Sequence, residues 1–201
     1  MHVCFVQGTH GDDDAWWRPG IDGFVSFHDA VKDAGHTVVN GRPFEWDCQL
    51  GGVGFTDRDL KGWRYAGLHL WDRLDPSLCR MRRVDPATLC IIAHSHGRQV
   101  VKYACHMGLQ AATVIFVAGP VRKDVDAATR GWDVNVGRVV TLNGAWWRDW
   151  IQRLGGVFDG KLRLSRDDDE ADHAETFADA DHGSLLRNPA QYHRVIAQIH
   201  P

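Results

Sequence analysis

The chain has 201 residues, 44% hydrophobic and 24% charged, which suits one globular domain over residues 1–201 that buries roughly 70% of its unfolded surface. Its net charge is -3 and no run of Lys or Arg offers a phosphate-neutralising patch, which argues against nucleic acid as the main partner. No apolar stretch approaches the ~20 residues that a transmembrane helix needs. Met1 to Gly8 carry neither a basic segment nor a cleavage site, so a cytoplasmic location is expected.

In chain order, Val3 to Val6 reads as a first buried strand that ends at Gln7, Gly8 and Thr9. Phe24, Phe27, Val31 and Ala34 have helical spacing, and Gly35 stops that helix. A short strand follows at Thr37–Val39, then a glycine-rich loop around Gly51–Gly54. Asp57 to about Leu74 predicts an amphipathic helix with Leu60, Trp63, Gly67, Leu70, Trp71 and Leu74 along one side. Leu89 to Ala93 is an unbroken apolar run, the pattern of a strand covered on both faces. Val100, Val101, Ala104 and Cys105 after it form the inward stripe of a helix. Thr113–Ala118 and Val139–Leu142 read as further strands, Trp147–Leu154 as a short helix, and Leu162–Leu164 as a weaker strand. Asn188 and Pro189 start a last helix through Tyr192, Val195, Ile196 and Ile199. Strands alternating with helices imply an α/β fold with a mainly parallel central sheet, helices on both faces and ligands bound at the carboxyl ends of the strands.

Five cysteines, Cys4, Cys48, Cys79, Cys90 and Cys105, are scattered without a C-x-x-C pair and read as reduced structural thiols. The acidic run Asp167–Glu170 reads as a solvated loop.

The chemistry concentrates between the apolar run and its helix, at Ala93, His94, Ser95, His96 and Gly97. A serine in a sharp strand-to-helix turn flanked by small residues is the G-x-S-x-G nucleophile elbow, here with Ala93 in the first glycine position. Ser95 is therefore the candidate nucleophile. Its hydroxyl needs a base, and the base an orienting acid. For an elbow the chain order is serine, acid, histidine. His182, in a loop before the final helix and beside Gly183, fits the base, ahead of His173, His193 and His200. Asp149, just beyond Val139–Leu142, is favoured as the acid over Asp124. The oxyanion donors are assigned to the backbone N–H groups of His96 and Thr9; losing one such donor costs roughly 10²–10³ in rate. Trp16, Trp17, Trp46, Trp146 and Trp147 fall near the same sheet edge, and the paired ones, Trp16, Trp17, Trp146 and Trp147, read as an apolar or ring-stacking substrate wall.

These segments together resemble the α/β-hydrolase superfamily, and within it the lipase- and esterase-like serine hydrolases. The resemblance rests on Val6–Thr9 as the oxyanion segment, Ala93–Gly97 as the elbow, Ala118–Val121 after the next strand, and Asp181–Leu186 as the histidine loop, and it spans the whole chain. It implies a Ser-His-Asp triad on Ser95, His182 and Asp149, no metal, no organic cofactor, and a minimal fold with little or no lid. Gln7 replaces the usual histidine, Ala93 the first glycine, and Arg98 stands where many members have another glycine. The activity implied is cleavage of a small-molecule, lipid or glycan ester. An amidase or thioesterase would use the same residues. A metal-assisted hydrolase on His10, Asp12, Asp13, Asp14 and His182, and a non-catalytic binding module of the same fold, are the readings from other classes.

Overall fold

A computed structural model describes residues 1–8, 15–20, 25–39, 44, 46, 57–74, 84–145, 147–148, 162–163 and 170–200, with 57–60, 123–124 and 162–163 as backbone only. Among the described residues eight strands appear in chain order: β1 (His2–Val6), β2 (Thr37–Val38), β3 (Leu89–His94), β4 (Ala111–Val117), β5 (Val121–Arg122), β6 (Val136–Gly144), β7 (Leu162–Arg163) and β8 (His173–Phe177). Between them run the helices α1 (Phe27–Asp33), α2 (Asp57–Leu74), α3 (Gly97–His106) and α4 (Lys123–Ala128). Two short helices, α5 (Ser184–Arg187) and α6 (Tyr192–Ile196), close the chain.

Six strands form one sheet in the order β2-β1-β3-β4-β6-β8, and every neighbouring pair is parallel. Strands β5 and β7 pair antiparallel as a separate ribbon. Parallel neighbours need crossovers, and the crossovers place helices on both faces. Side chains alternate between those faces along each strand. From β3, Leu89, Ile91 and Ala93 join a core with Trp63, Ala66, Leu70 and Leu74 of α2 and Val100, Val101, Ala104 and Cys105 of α3. Cys90 and Ile92 enter the opposite core, with Phe27 and Val31 of α1, Leu185 and Leu186 of α5, and Tyr192 and Val195 of α6. Leu89 to Ala93 are at most 1% exposed, as expected of a central parallel strand.

Local chemistry explains several ends. Ser26 caps α1 in a capping box with Asp29, and Gly35 at φ +85° follows its last turn. Asp85 caps the 3-10 turn Pro86–Thr88 that leads into β3. Asn188 accepts from the N–H of Ala190, starting a 3-10 turn at Pro189–Gln191 that runs into α6. A Cβ on Gly67 would stand 2.6 Å from the Cβ of Tyr103 and 2.8 Å from the carbonyl oxygen of Val100, so only glycine lets α2 cross α3 this closely.

The predicted strands and helices recur with small shifts, and α2 has the expected bounds. Strand β8 was not foreseen: His173–Phe177 has no apolar run, because it is an edge strand with its middle three residues exposed. Of the acidic run read as solvated, Glu170 instead meets buried cations. Its carboxylate is 2.6 Å from Nζ of Lys102 and 3.5 Å from Nη2 of Arg98, whose side chains are fully buried in α3. Lys102 also binds Asp126. Arg98 therefore turns away from the elbow, its guanidinium 4.5 Å over the ring of Phe116. The predicted helix at 147–154 lies outside the described residues apart from a turn at 147–148. Cys4, Cys90 and Cys105 are free and buried, each thiol pushed up to about 12 chiefly by burial; Cys48 and Cys79 lie outside the described residues.

Candidate active site

The parallel register brings strand exits to one edge. Val6 is level with Ala93, His94 with Val117, Val117 with Leu142, and Gly144 with Phe177. Ser95 leaves β3 at this edge with φ +50°, a left-handed conformation uncommon for a residue other than glycine. Its N–H donates to the carbonyl oxygen of Val117 at 3.0 Å, and its own carbonyl accepts from the N–H of Arg98 at 3.1 Å. The kink is thus held by the neighbouring strand and by the first turn of α3, which is how a locally strained residue persists.

Two glycines make room for it. A Cβ on Gly97 would lie 2.7 Å from the carbonyl oxygen of Gln7 and 2.8 Å from that of Val6. A Cβ on Gly8 would lie 2.7 Å from the Cβ of Ser95 and 3.0 Å from the carbonyl oxygen of His94. The β1 exit therefore passes directly over the serine turn, and Gly8 delivers the chain to Thr9, which is outside the described residues. Trp46 secures that exit by donating its indole N–H to the carbonyl oxygen of Gln7 at 2.9 Å.

Ser95 is 7% exposed. His96, half-buried, stacks on Trp63 with ring centroids 5.2 Å apart and planes at 25°. The guanidinium of Arg122 lies 5.2 Å from the same indole. This column fastens the residue after the serine to α2.

His182 is half-buried in the turn between β8 and α5. Its carbonyl oxygen is 3.0 Å from Nε2 of His94, and the two imidazoles are 5.0 Å apart. The loop is held from several sides. Asp181 Oδ1 accepts from the N–H groups of Gly183 and Ser184 at 3.0 and 2.8 Å, and Ser184 Oγ accepts from the N–H of Asp181 at 2.8 Å. The N–H of Ala145, just past β6, donates to the carbonyl oxygen of Ala180 at 3.0 Å. Arg194 grips the Asp179 carboxylate through both nitrogens at 2.7 and 2.9 Å, which holds that carboxyl below its usual range.

The rival histidines stand elsewhere. His173 is level with Val140, at the start of β8 and away from its exit. The carbonyl of His200 accepts from Thr113 near the start of β4, and His193 is exposed on α6. Asp149 lies outside the described residues, and Asp124 is described by its backbone in α4. Of the tryptophans placed at that edge, Trp16, Trp17 and Trp46 are 2%, 5% and 8% exposed and belong to the core instead. Trp16 packs edge-on against Phe5 at 5.5 Å and His94 at 6.2 Å, because the turn at Ala15–Trp17 folds back over the sheet. Trp147 is 54% exposed, next to Arg148, which donates to the carbonyl of Asp179 at 3.3 Å. Trp146 is outside the described residues.

Sequence reasoning passed over His94. The signal was the alternation along β3: the residue before the elbow serine must face the core opposite to that of Ala93, where the histidine loop packs. Burial there is the main cause that drops the imidazole of His94 to about 3, helped by the neighbouring His182, Arg187 and His96 side chains and opposed by the hydrogen bond to the His182 carbonyl, so the ring is neutral. No group of three or more His, Cys, Asp or Glu side chains is placed to hold a metal ion among the described residues, which do not include His10 or Asp12–Asp14. Nor is any described helix long and apolar enough to cross a membrane.

No family model matches the chain, and no curated protein matches it. Among solved structures, acetyl xylan esterase 1 from Thermoanaerobacterium sp. JW/SL YS485 is similar with a TM-score of 0.51 and 12% identity, over 100% of this chain and 75% of that one. A mutant of polyneuridine aldehyde esterase has a TM-score of 0.49 and 10% identity, over 100% of this chain and 99% of that one. A predicted CIB-like hydrolase from Thermoplasma acidophilum has a TM-score of 0.46 and 14% identity, over 97% of this chain and 83% of that one. The sheet order, the kinked serine after the central strand and the likeness to acetyl xylan esterase 1 together identify the architecture: the chain has the α/β-hydrolase fold.

Proposed function

We propose that the chain is a serine hydrolase that cleaves a carboxylic ester through an acyl-enzyme. The observation that carries this reading is Ser95 at φ +50° on the exit of the central strand, with the His182 loop hydrogen-bonded to the residue beside it. In this reading His182 takes the proton of Ser95 Oγ as the serine attacks the ester carbonyl, and returns it to the leaving alcohol. Water then repeats the sequence on the acyl-serine and releases the acid. The N–H groups of His96 and Thr9 stabilise the developing oxyanion. Asp149, in the connection after β6, orients His182; Asp124, on the earlier connection, is the alternative. Trp146 and Trp147 supply the aromatic side of the substrate site, which suits an acyl chain or a sugar ring. An ester linked to a glycan is in keeping with the fold shared with acetyl xylan esterase 1.

Labelling by a fluorophosphonate tests the nucleophile. Wild-type protein takes up the probe and Ser95→Ala does not; an unlabelled wild type would leave a binding module of the same fold as the better account. Asp149→Asn is expected to lower the kcat for p-nitrophenyl acetate by about 10⁴, the loss typical of a triad acid. Asp124→Asn should change it by less than about tenfold, and the opposite ranking would exchange the two aspartates.

A further inference from the structure

The turn that bears His182 is tied to the β6 exit through Ala145 and Ala180, and to α6 through Asp179 and Arg194. Neither tie reaches β3, the strand that sets the position of Ser95. A hydrogen bond from His94 joins the two. This residue ends β3, pairs in register with Val117 and precedes Ser95 directly, so its backbone is held by the central sheet. The residue is 4% exposed, its ring between those of Trp16 and His182.

A carbonyl oxygen only accepts, so the contact with His182 requires the proton on Nε2 of His94. In the neutral ring Nδ1 then carries the lone pair, and it is buried without a hydrogen-bond partner among the described residues. A core histidine with one nitrogen unsatisfied is costly to retain. Phenylalanine would fill the same space without that cost, which points to the Nε2–H donor as the reason for a histidine.

We infer that His94 is a positioning residue for the base: its Nε2–H holds the main-chain carbonyl of His182 and so sets the base in register with Ser95. The inference rests on the serine-hydrolase reading above. The imidazole of His94 neither touches substrate nor exchanges a proton. It fixes the distance between two catalytic groups that are far apart in the sequence.

Two variants separate the hydrogen bond from packing. His94→Phe keeps a ring and loses the donor, whereas His94→Gln keeps an amide N–H of similar reach. With p-nitrophenyl acetate, His94→Phe is expected to lose roughly 10²-fold in kcat, the cost of about 1 Å of misplacement, with KM within about twofold of wild type. Labelling of Ser95 by the fluorophosphonate should slow in parallel. His94→Gln should recover kcat to within about tenfold of wild type. If His94→Phe turns over within about twofold of wild type, or if Phe and Gln lose kcat equally while their thermal midpoints fall together, the ring is packing alone and the inference is overturned. A wild type that fails to react with the fluorophosphonate removes the serine-hydrolase reading itself, which is a different outcome from either variant result.

Discussion

Gly97 and Ser95 share one steric arrangement. The serine turn is tight because α3 starts against the carbonyl oxygens of Val6 and Gln7, and a methyl group on Gly97 would press into both. Backbone oxygens cannot rotate aside, so Gly97→Ala is expected to cost about 2–3 kcal/mol. The midpoint of urea unfolding would show it, and an unchanged midpoint would mean that the β1 exit yields more easily than its packing suggests. Ala93 carries a methyl without such a conflict and is fully buried, so alanine in the first glycine position of the motif needs no compensating change. His94 shows how much one position in a motif can carry. Its neighbours in sequence identify the serine, yet its own ring reaches across to a loop 88 residues away.

At the scale of elements, α3 is held by more than its apolar stripe. Arg98 and Lys102, one turn apart, are fully buried and share Glu170, which precedes β8, while Lys102 also binds Asp126 of α4. The sequence marks Val100, Val101, Ala104 and Cys105 as the inward stripe of this helix, and the tertiary structure buries Arg98, Gln99 and Lys102 as well. Removing one partner of a buried ion pair leaves the other charge uncompensated. Glu170→Gln is therefore expected to destabilise the fold by roughly 3 kcal/mol, at the lower end for a buried pair because Asp126 still faces Lys102. Chemical denaturation measures it directly. A loss below about 0.5 kcal/mol would place Glu170 among ordinary surface ion pairs.

For the molecule as a whole, His94 links folding to acidity. Its pKa is about 3 folded against 6.5 as the ordinary value, so between those limits the unfolded chain binds a proton that the folded chain refuses. Stability from this group is therefore complete above about pH 6.5 and declines as the pH falls toward about 3, at up to about 1.4 kcal/mol per unit. Beyond burial, the side chains of His182, Arg187 and His96 lower that pKa further, while the hydrogen bond to the carbonyl of His182 acts in the opposite direction. Wild-type protein should lose about 2–3 kcal/mol more than His94→Gln between pH 7 and pH 4.5, since glutamine does not titrate there. Parallel pH curves for the two proteins would mean that His94 is protonated with little resistance in the folded state.

Local pattern was enough for much of this protein. Unbroken apolar runs such as Leu89–Ala93 have the pattern of strands covered on both faces, and the stripe of Trp63, Leu70 and Leu74 fits a helix against them. Small residues around Ser95 announce a turn that larger ones would block. These features depend on near neighbours, so they are written in consecutive residues. Strand β8 is polar and exposed, and it is a strand because β6 offers it an unpaired edge. The burial of Trp16 and Trp17, the capture of Glu170 by Arg98 and Lys102, and the bond from His94 to His182 all depend on which distant segment arrives opposite. Periodicity carries the direction in which a side chain points from its own element, and only the packed sheet decides what it meets there.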